Sequence, residues 1–280
     1  MWFRFFHFTM VESRLIKVML KYAEWGLLAA VLLLAVWYSI RIFVCDTFTV
    51  KGVSMEPVFH NGDKVWVNKL KMGARIYTDY DFSKSELSSF RMPGFSKVRV
   101  GDLVVVNYPY ACSKDSISFR INYVYLKRCY GAPGDTVRIS NGYYLNHETG
   151  GYVGDIKYQK ILSETPDSIL KSDGVVLNAF QVDKSRKWTI KDFGPLYVPE
   201  AGSKVYIDIH NYRMWQRLIL FETGVKIVKQ KNRVYFRDAS IDSYTFRSNW
   251  YFLGGDNVLN SRDSRYIGLF PESYIIGVVW

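Results

Sequence analysis

Cysteine and histidine are scarce in this 280-residue chain, which carries three of the first and four of the second. Cys45, Cys112 and Cys129 stand far apart with no CxxC pair and no Cys/His cluster, so neither a disulfide framework nor a metal site is expected. No Cys112 to Cys129 bridge is predicted, and no cofactor is implied. His7 precedes the apolar N-terminal run, and His60, His147 and His210 sit in no triad context, which leaves a Ser-His-Asp scheme without its base. Tandem repeats and low-complexity tracts are absent. After residue 46 no stretch keeps a long apolar period of 3.6, which argues against coiled-coil and parallel α/β designs.

What is present is a chain that is 49% hydrophobic and 17% aromatic, enough to bury a sizeable core, with a formal charge of +11. That charge favours anionic partners, either nucleic acid or acidic lipid headgroups. Residues 26–44 read GLLAAVLLLAVWYSIRIFV, broken only by Arg41 near the far end, where its side chain can snorkel. This is a membrane-spanning helix by length. A cleaved signal peptide fits less well, because the apolar run exceeds the usual 7 to 15 residues, follows a long N-terminal segment and precedes no small-x-small site. A lipoprotein signal ending at Cys45 is disfavoured by the bulky Ile42, Phe43 and Val44. Arg4, Arg14, Lys17 and Lys21 outnumber Glu12 and Glu24 ahead of the span, which places residues 1–25 in the cytoplasm and everything after about Asp46 outside.

Beyond the span the texture becomes short runs rich in Val, Tyr and Phe, punctuated by turns and often opened by Gly-Asp, as in GDLVVVNYP and GDTVRISNGYYLN. A mainly antiparallel β fold is expected. Residues 142–248 are less patterned, apart from an amphipathic YRMWQRLILFE that predicts a short helix, and they read as a subdomain inserted between a catalytic β domain at 46–141 and its completion at 249–280.

Three segments carry the chemistry: Gly52-Val53-Ser54-Met55-Glu56-Pro57, then Lys127-Arg128-Cys129-Tyr130-Gly131-Ala132-Pro133-Gly134-Asp135, then Gly255-Asp256-Asn257 through Ser261-Arg262-Asp263-Ser264-Arg265. Each alone is ordinary, since serines in turns and exposed Lys-Arg pairs are common. In this order, behind one N-terminal span, the chain resembles the type I signal peptidase family, whose serine, lysine and GDN boxes these segments match. The Arg99-Val100-Gly101-Asp102 strand opening fits the same pattern. The resemblance covers the span, residues 46 to about 140 and residues 250–280.

It implies a membrane-bound serine endopeptidase of the cytoplasmic membrane that removes signal peptides from exported preproteins. Ser54 would attack, Lys127 would act as general base and Ser261 would orient the lysine amine. Physically, a serine hydroxyl needs a positioned base. Free lysine titrates near about 10.4, so holding Lys127 neutral near pH 7 costs on the order of 3 to 4 kcal/mol, to be supplied by burial. The Ser54 backbone N–H is the first oxyanion donor, whereas the position two residues earlier, which bears a hydroxyl in some members, is Gly52. Arg128, Asp256, Asp263 and Arg265 match positions that form bracing ion pairs. Phe48, Val50, Met55, Phe59, Tyr125 and Leu126 would line two small pockets for an Ala-x-Ala site, with the substrate added as a strand.

Three other readings stand beside this one. A repressor-type Ser/Lys autoprotease lacks a reason for the span. A non-catalytic membrane-anchored β module of the export or envelope machinery needs none of Ser54, Lys127 and Ser261. A nucleic-acid binder would interleave basic and aromatic residues on one platform, which this chain does not, so preproteins and the bilayer are the expected partners and nucleic acid is not.

Overall fold

The computed structural model describes residues 2–81, 83–110, 116–147, 149–180 and 187–280, with side chains described from residue 16 onward. One helix runs from Trp2 to Ser39, well ahead of the expected start at Gly26, and continues as a π-helical turn over Ile40–Val44. The stretch long and apolar enough to cross a membrane is Ile16–Val44, with a mean hydropathy of 2.3 in its most apolar window and no burial against the rest of the chain. Arg41 does more than reach for an interface. Its Nε donates to Asp46 Oδ1 at 3.0 Å, its guanidinium lies 5.1 Å from the Trp37 ring, and Lys69 Nζ donates to the Arg41 carbonyl at 2.6 Å. The helix end is thereby tied to the first sheet strand and to the residue just after the second.

The main sheet has seven strands, all antiparallel, in the spatial order Cys45–Thr49, Lys64–Asn68, Ile275–Val279, Leu103–Asn107, Val124–Gly131, Trp250–Gly254 and Phe270–Pro271. The expected mainly antiparallel β fold is what the chain forms. Alternation along Leu103–Asn107 separates two cores: Val104 and Val106 pack with Tyr108, Tyr251 and Ile275, whereas Val105 packs with Val50, Met55, Val65 and Leu126 on the other face. The sheet curls until its first strand and the start of Val124–Gly131 line one groove.

A second sheet, ordered Phe193–Tyr197, Thr136–Ser140, Tyr143–Asn146 and Gly151–Tyr152, carries the third core. The expected boundary at 141/142 falls inside this sheet, between two strands of one hairpin. The amphipathic helix forms at Tyr212–Thr223 and buries Met214, Trp215, Leu218 and Ile219 on one stripe; Gly224 ends it at φ +70, a left-handed conformation that suits glycine. Two further helices, Ile156–Glu164 and Asp167–Ser172, show no periodic signal because their 9 and 6 residues make only about two and a half turns and under two turns. Asp155 caps the first through Lys157 N–H at 2.9 Å. Cys129 is a buried free thiol, and Cys112 lies outside the described residues.

Candidate active site

Three distant segments meet at one end of the curled sheet. Residues 50–63 form a turn closed by Val50 N–H to Asp63 O at 2.8 Å and Gly62 N–H to Val50 O at 2.9 Å, and Ser54 rides on it. The turn is pinned from the GDN box: Asn257 N–H donates to Ser54 O at 3.1 Å, and Asn257 Nδ2 donates to Val53 O at 3.1 Å. Lys127 projects from the middle of Val124–Gly131, where it stands opposite Val104. Its Nζ lies 2.7 Å from Ser54 Oγ, donating as an ammonium and able to accept the hydroxyl proton as an amine. Among the described residues no histidine makes a hydrogen bond to Ser54.

Lys127 is 1% exposed. Burial is the largest influence on its amine and favours the neutral form; Arg265 pushes the same way, while Asp263 and Asp256 oppose it. The result is a pKa pulled down to about 8. At pH 7 roughly a tenth of the molecules therefore hold a neutral amine against the serine hydroxyl, compared with less than one in a thousand for a free lysine.

Ser261 is buried beside them. Its hydroxyl makes no well-formed hydrogen bond, although it lies close enough to Asp263 to favour that carboxylate's charged form. Gly255 explains how the segments fit. A Cβ there would run into the Ser54 carbonyl and the Ser261 hydroxyl, with Ser261 Cβ at 2.6 Å, so only glycine lets the two serine segments close on it. Gly255→Ala is expected to drop kcat/KM by on the order of 10², since a displacement near 1 Å at a reacting pair costs about that much. Steady-state cleavage of a peptide substrate checks this, and wild-type kinetics in the variant would refute it.

The four bracing charges sort into two pairs. Arg128 grips Asp256 with Nε and Nη2, both at 2.7 Å, and also donates to Gly101 O at 2.8 Å; Tyr130 OH donates to the same carboxylate at 3.3 Å. Asp263 and Arg265 form a second bidentate pair at 2.8 Å, both fully buried, with Arg265 Nη1 on Val258 O at 2.7 Å and Gly255 N–H on Asp263 Oδ2 at 3.2 Å. Charge and fixed geometry keep Asp263 below the ordinary carboxylate range despite its burial.

Ser54 opens onto a groove of about 550 Å³. Phe48, Val50, Met55, Tyr125 and Leu126 line it, together with Val65, Val105, Ile121, Asn122 and Tyr123. Phe59 does not reach the groove and packs instead behind the turn with the Val50 and Met55 core. Gly52 has φ +81, and its N–H is engaged by Asn61 Oδ1 at 2.9 Å, whereas the Ser54 N–H has no partner among the described residues. Asn257, part of the GDN box and given no role by its sequence context, is the main tether of the serine turn through its two bonds to it.

The family described as signal peptidase, peptidase S26 matches residues 22–280. Relatives named signal peptidase I include one from Buchnera aphidicola subsp. Baizongia pistaciae, 26% identical over 259 residues, covering 88% of this chain and 72% of that protein. A second, from Pseudomonas aeruginosa, is 25% identical over 256 residues, covering 86% and 66%. Signal peptidase I T from Bacillus subtilis is 26% identical over 258 residues, covering 91% and 82%. With the match running from within the apolar helix to the last residue, through the segments that bring Ser54 and Lys127 together, the chain belongs to the signal peptidase, peptidase S26 family.

Proposed function

We propose that this protein is a membrane-anchored serine endopeptidase that removes signal peptides from exported preproteins, cutting after small residues of an Ala-x-Ala kind, with Ser54 as nucleophile and Lys127 as general base. One observation carries the reading: a fully buried lysine, poised near pKa 8, sits 2.7 Å from the hydroxyl of a serine at the mouth of an apolar groove. A binding module gains nothing from burying that amine.

Ser54 Oγ attacks the scissile carbonyl as its proton passes to Lys127 Nζ. The Ser54 N–H receives the developing oxyanion. The Lys127 ammonium then gives its proton to the leaving amine, freeing the mature chain and leaving an ester on Ser54. Lys127, neutral again, takes a proton from water as its oxygen attacks the ester carbonyl, and returns that proton to Ser54 Oγ as the C–O bond to serine breaks and the signal peptide leaves as a free carboxylic acid. Ser261, whose buried hydroxyl makes no well-formed hydrogen bond, receives one from the ammonium and holds it in line; an unsatisfied hydroxyl of this kind costs about 1 to 3 kcal/mol until it finds one. The Arg128–Asp256 pair ties the strand that carries the base to the GDN segment, and the Asp263–Arg265 pair, through Val258 O, Ser261 O and Gly255 N–H, fixes the loop that carries Ser261.

The substrate enters extended between residues 47–51 and 121–125, its small side chains dropping toward Phe48, Val50, Met55, Tyr125 and Leu126. Residues 1–25 lie in the cytoplasm and the catalytic domain on the outer side of the cytoplasmic membrane. The test is cleavage of a preprotein with an Ala-x-Ala site by the detergent-solubilised full chain. Cleavage after the final alanine, verified by sequencing the new N-terminus, should fall by at least about 10³ in Ser54→Ala and in Lys127→Ala. Equal processing by wild type and Ser54→Ala would refute the proposal.

A further inference from the structure

We infer that Arg262 selects substrates by charge immediately after the cut, favouring an acidic side chain there; this rests on the signal peptidase reading above. Arg262 lies between two buried residues of the site, Ser261 and Asp263, yet is itself exposed. The neighbouring arginines, Arg128 and Arg265, each hold a carboxylate. Arg262 makes no hydrogen bond or ion pair among the described residues and rests over the Tyr108 ring, 5.5 Å from its centroid. A guanidinium held over a ring is positioned without its N–H donors being used, and those donors match a carboxylate's two oxygens.

The position is close to the chemistry. Tyr108 meets Tyr125 edge to face at 5.1 Å, and Lys127 Nζ lies 5.6 Å from the centre of the Tyr125 ring. Two rings thus link the free cation to the base. Tyr125 lines the groove, whereas Tyr108 and Arg262 do not. The apolar groove suits the small residues before the scissile bond, so the side chain that meets Arg262 belongs to the residues just past it. Nothing lining the groove offsets the charge: its walls contain Lys51 and neither Asp nor Glu. A lysine after the cut would therefore meet repulsion, and an aspartate attraction.

Nine peptides settle the matter, sharing one Ala-x-Ala site and carrying Asp, Ala or Lys at the first, second or third position after the cut. Each is cleaved by the detergent-solubilised full chain and by Arg262→Gln, Arg262→Lys and Arg262→Glu, and rates are compared as ratios within each enzyme. Attraction on one peptide and repulsion on another, at an exposed site, give the wild type roughly a five- to tenfold preference for Asp over Lys in kcat/KM at low salt. Added salt should shrink that ratio. Arg262→Lys should keep most of it, Arg262→Gln should bring it near one, and Arg262→Glu should invert it. An Asp/Lys ratio equal in wild type and Arg262→Gln overturns the inference even where all peptides are cut. Failure of the wild type to cut any of them removes the signal peptidase reading, and the inference falls with it.

Discussion

Cleavage by the solubilised protein should climb about tenfold per pH unit on the acid side and level off above a pKa near 8, because in the proposed mechanism the neutral amine of Lys127 is the base and protonation removes it. The same burial has an opposite consequence for stability. The Lys127 amine is pulled from 10.5 to about 8 on folding. Between those values the unfolded chain holds a proton that the folded chain has released, so stability rises with pH across this window. Below pH 8 the folded state bears the full penalty, about 3 to 4 kcal/mol at roughly 1.4 kcal/mol per pH unit. Lys127→Met should therefore abolish cleavage and yet unfold later than wild type at pH 7, by about 2 to 3 kcal/mol, with the difference fading above pH 10. Denaturant unfolding of both proteins at pH 7 and pH 10 measures it, and a Met variant less stable than wild type at pH 7 would contradict a burial-driven pKa.

Breaking the buried Asp263–Arg265 pair should cost more than any other single change at the site. Both side chains are fully buried, and removing one partner strands the other's charge, a loss of about 3 to 5 kcal/mol. Asp263→Asn and Arg265→Met should each destabilise by that amount, whereas the double variant should lose much less than their sum, because no lone charge remains. The pair also bears on the base, in opposite senses: Asp263 holds the Lys127 proton and Arg265 repels it. Among folded molecules, Asp263→Asn should move the acid limb below pH 8 and Arg265→Met should move it above. Shifts in the same direction would show that the pair acts only as scaffold.

The site's components were legible in the sequence because they come as short local motifs. Ser54, Lys127 and the GDN box announce themselves by order and spacing, and residues 26–44 by sheer apolar length. The antiparallel fold was legible through Val, Tyr and Phe in short runs between turns. Less came through where elements are short or where neighbours are remote. Two short helices at 156–172 have too few turns to print a period. Phe59 stands among the expected pocket residues but packs with the core behind the Ser54 loop. The bonds of Asn257 to the serine turn span a separation of about 200 residues, which no local pattern encodes.

The amino-acid sequence by itself therefore determined the chemical inventory, the membrane-length helix and the class of fold, since each depends on residue type and local period. Tertiary structure decided what those residues are able to do. The amine at 127 has a pKa lowered to about 8 only because the register opposite Leu103–Asn107 buries it, and Ser54 becomes its partner only because Asn257 draws the serine turn across 73 residues to a distance of 2.7 Å. Burial and alignment are properties of the assembled sheet: a lysine in an unfolded chain stays hydrated and charged, whatever its neighbours in sequence.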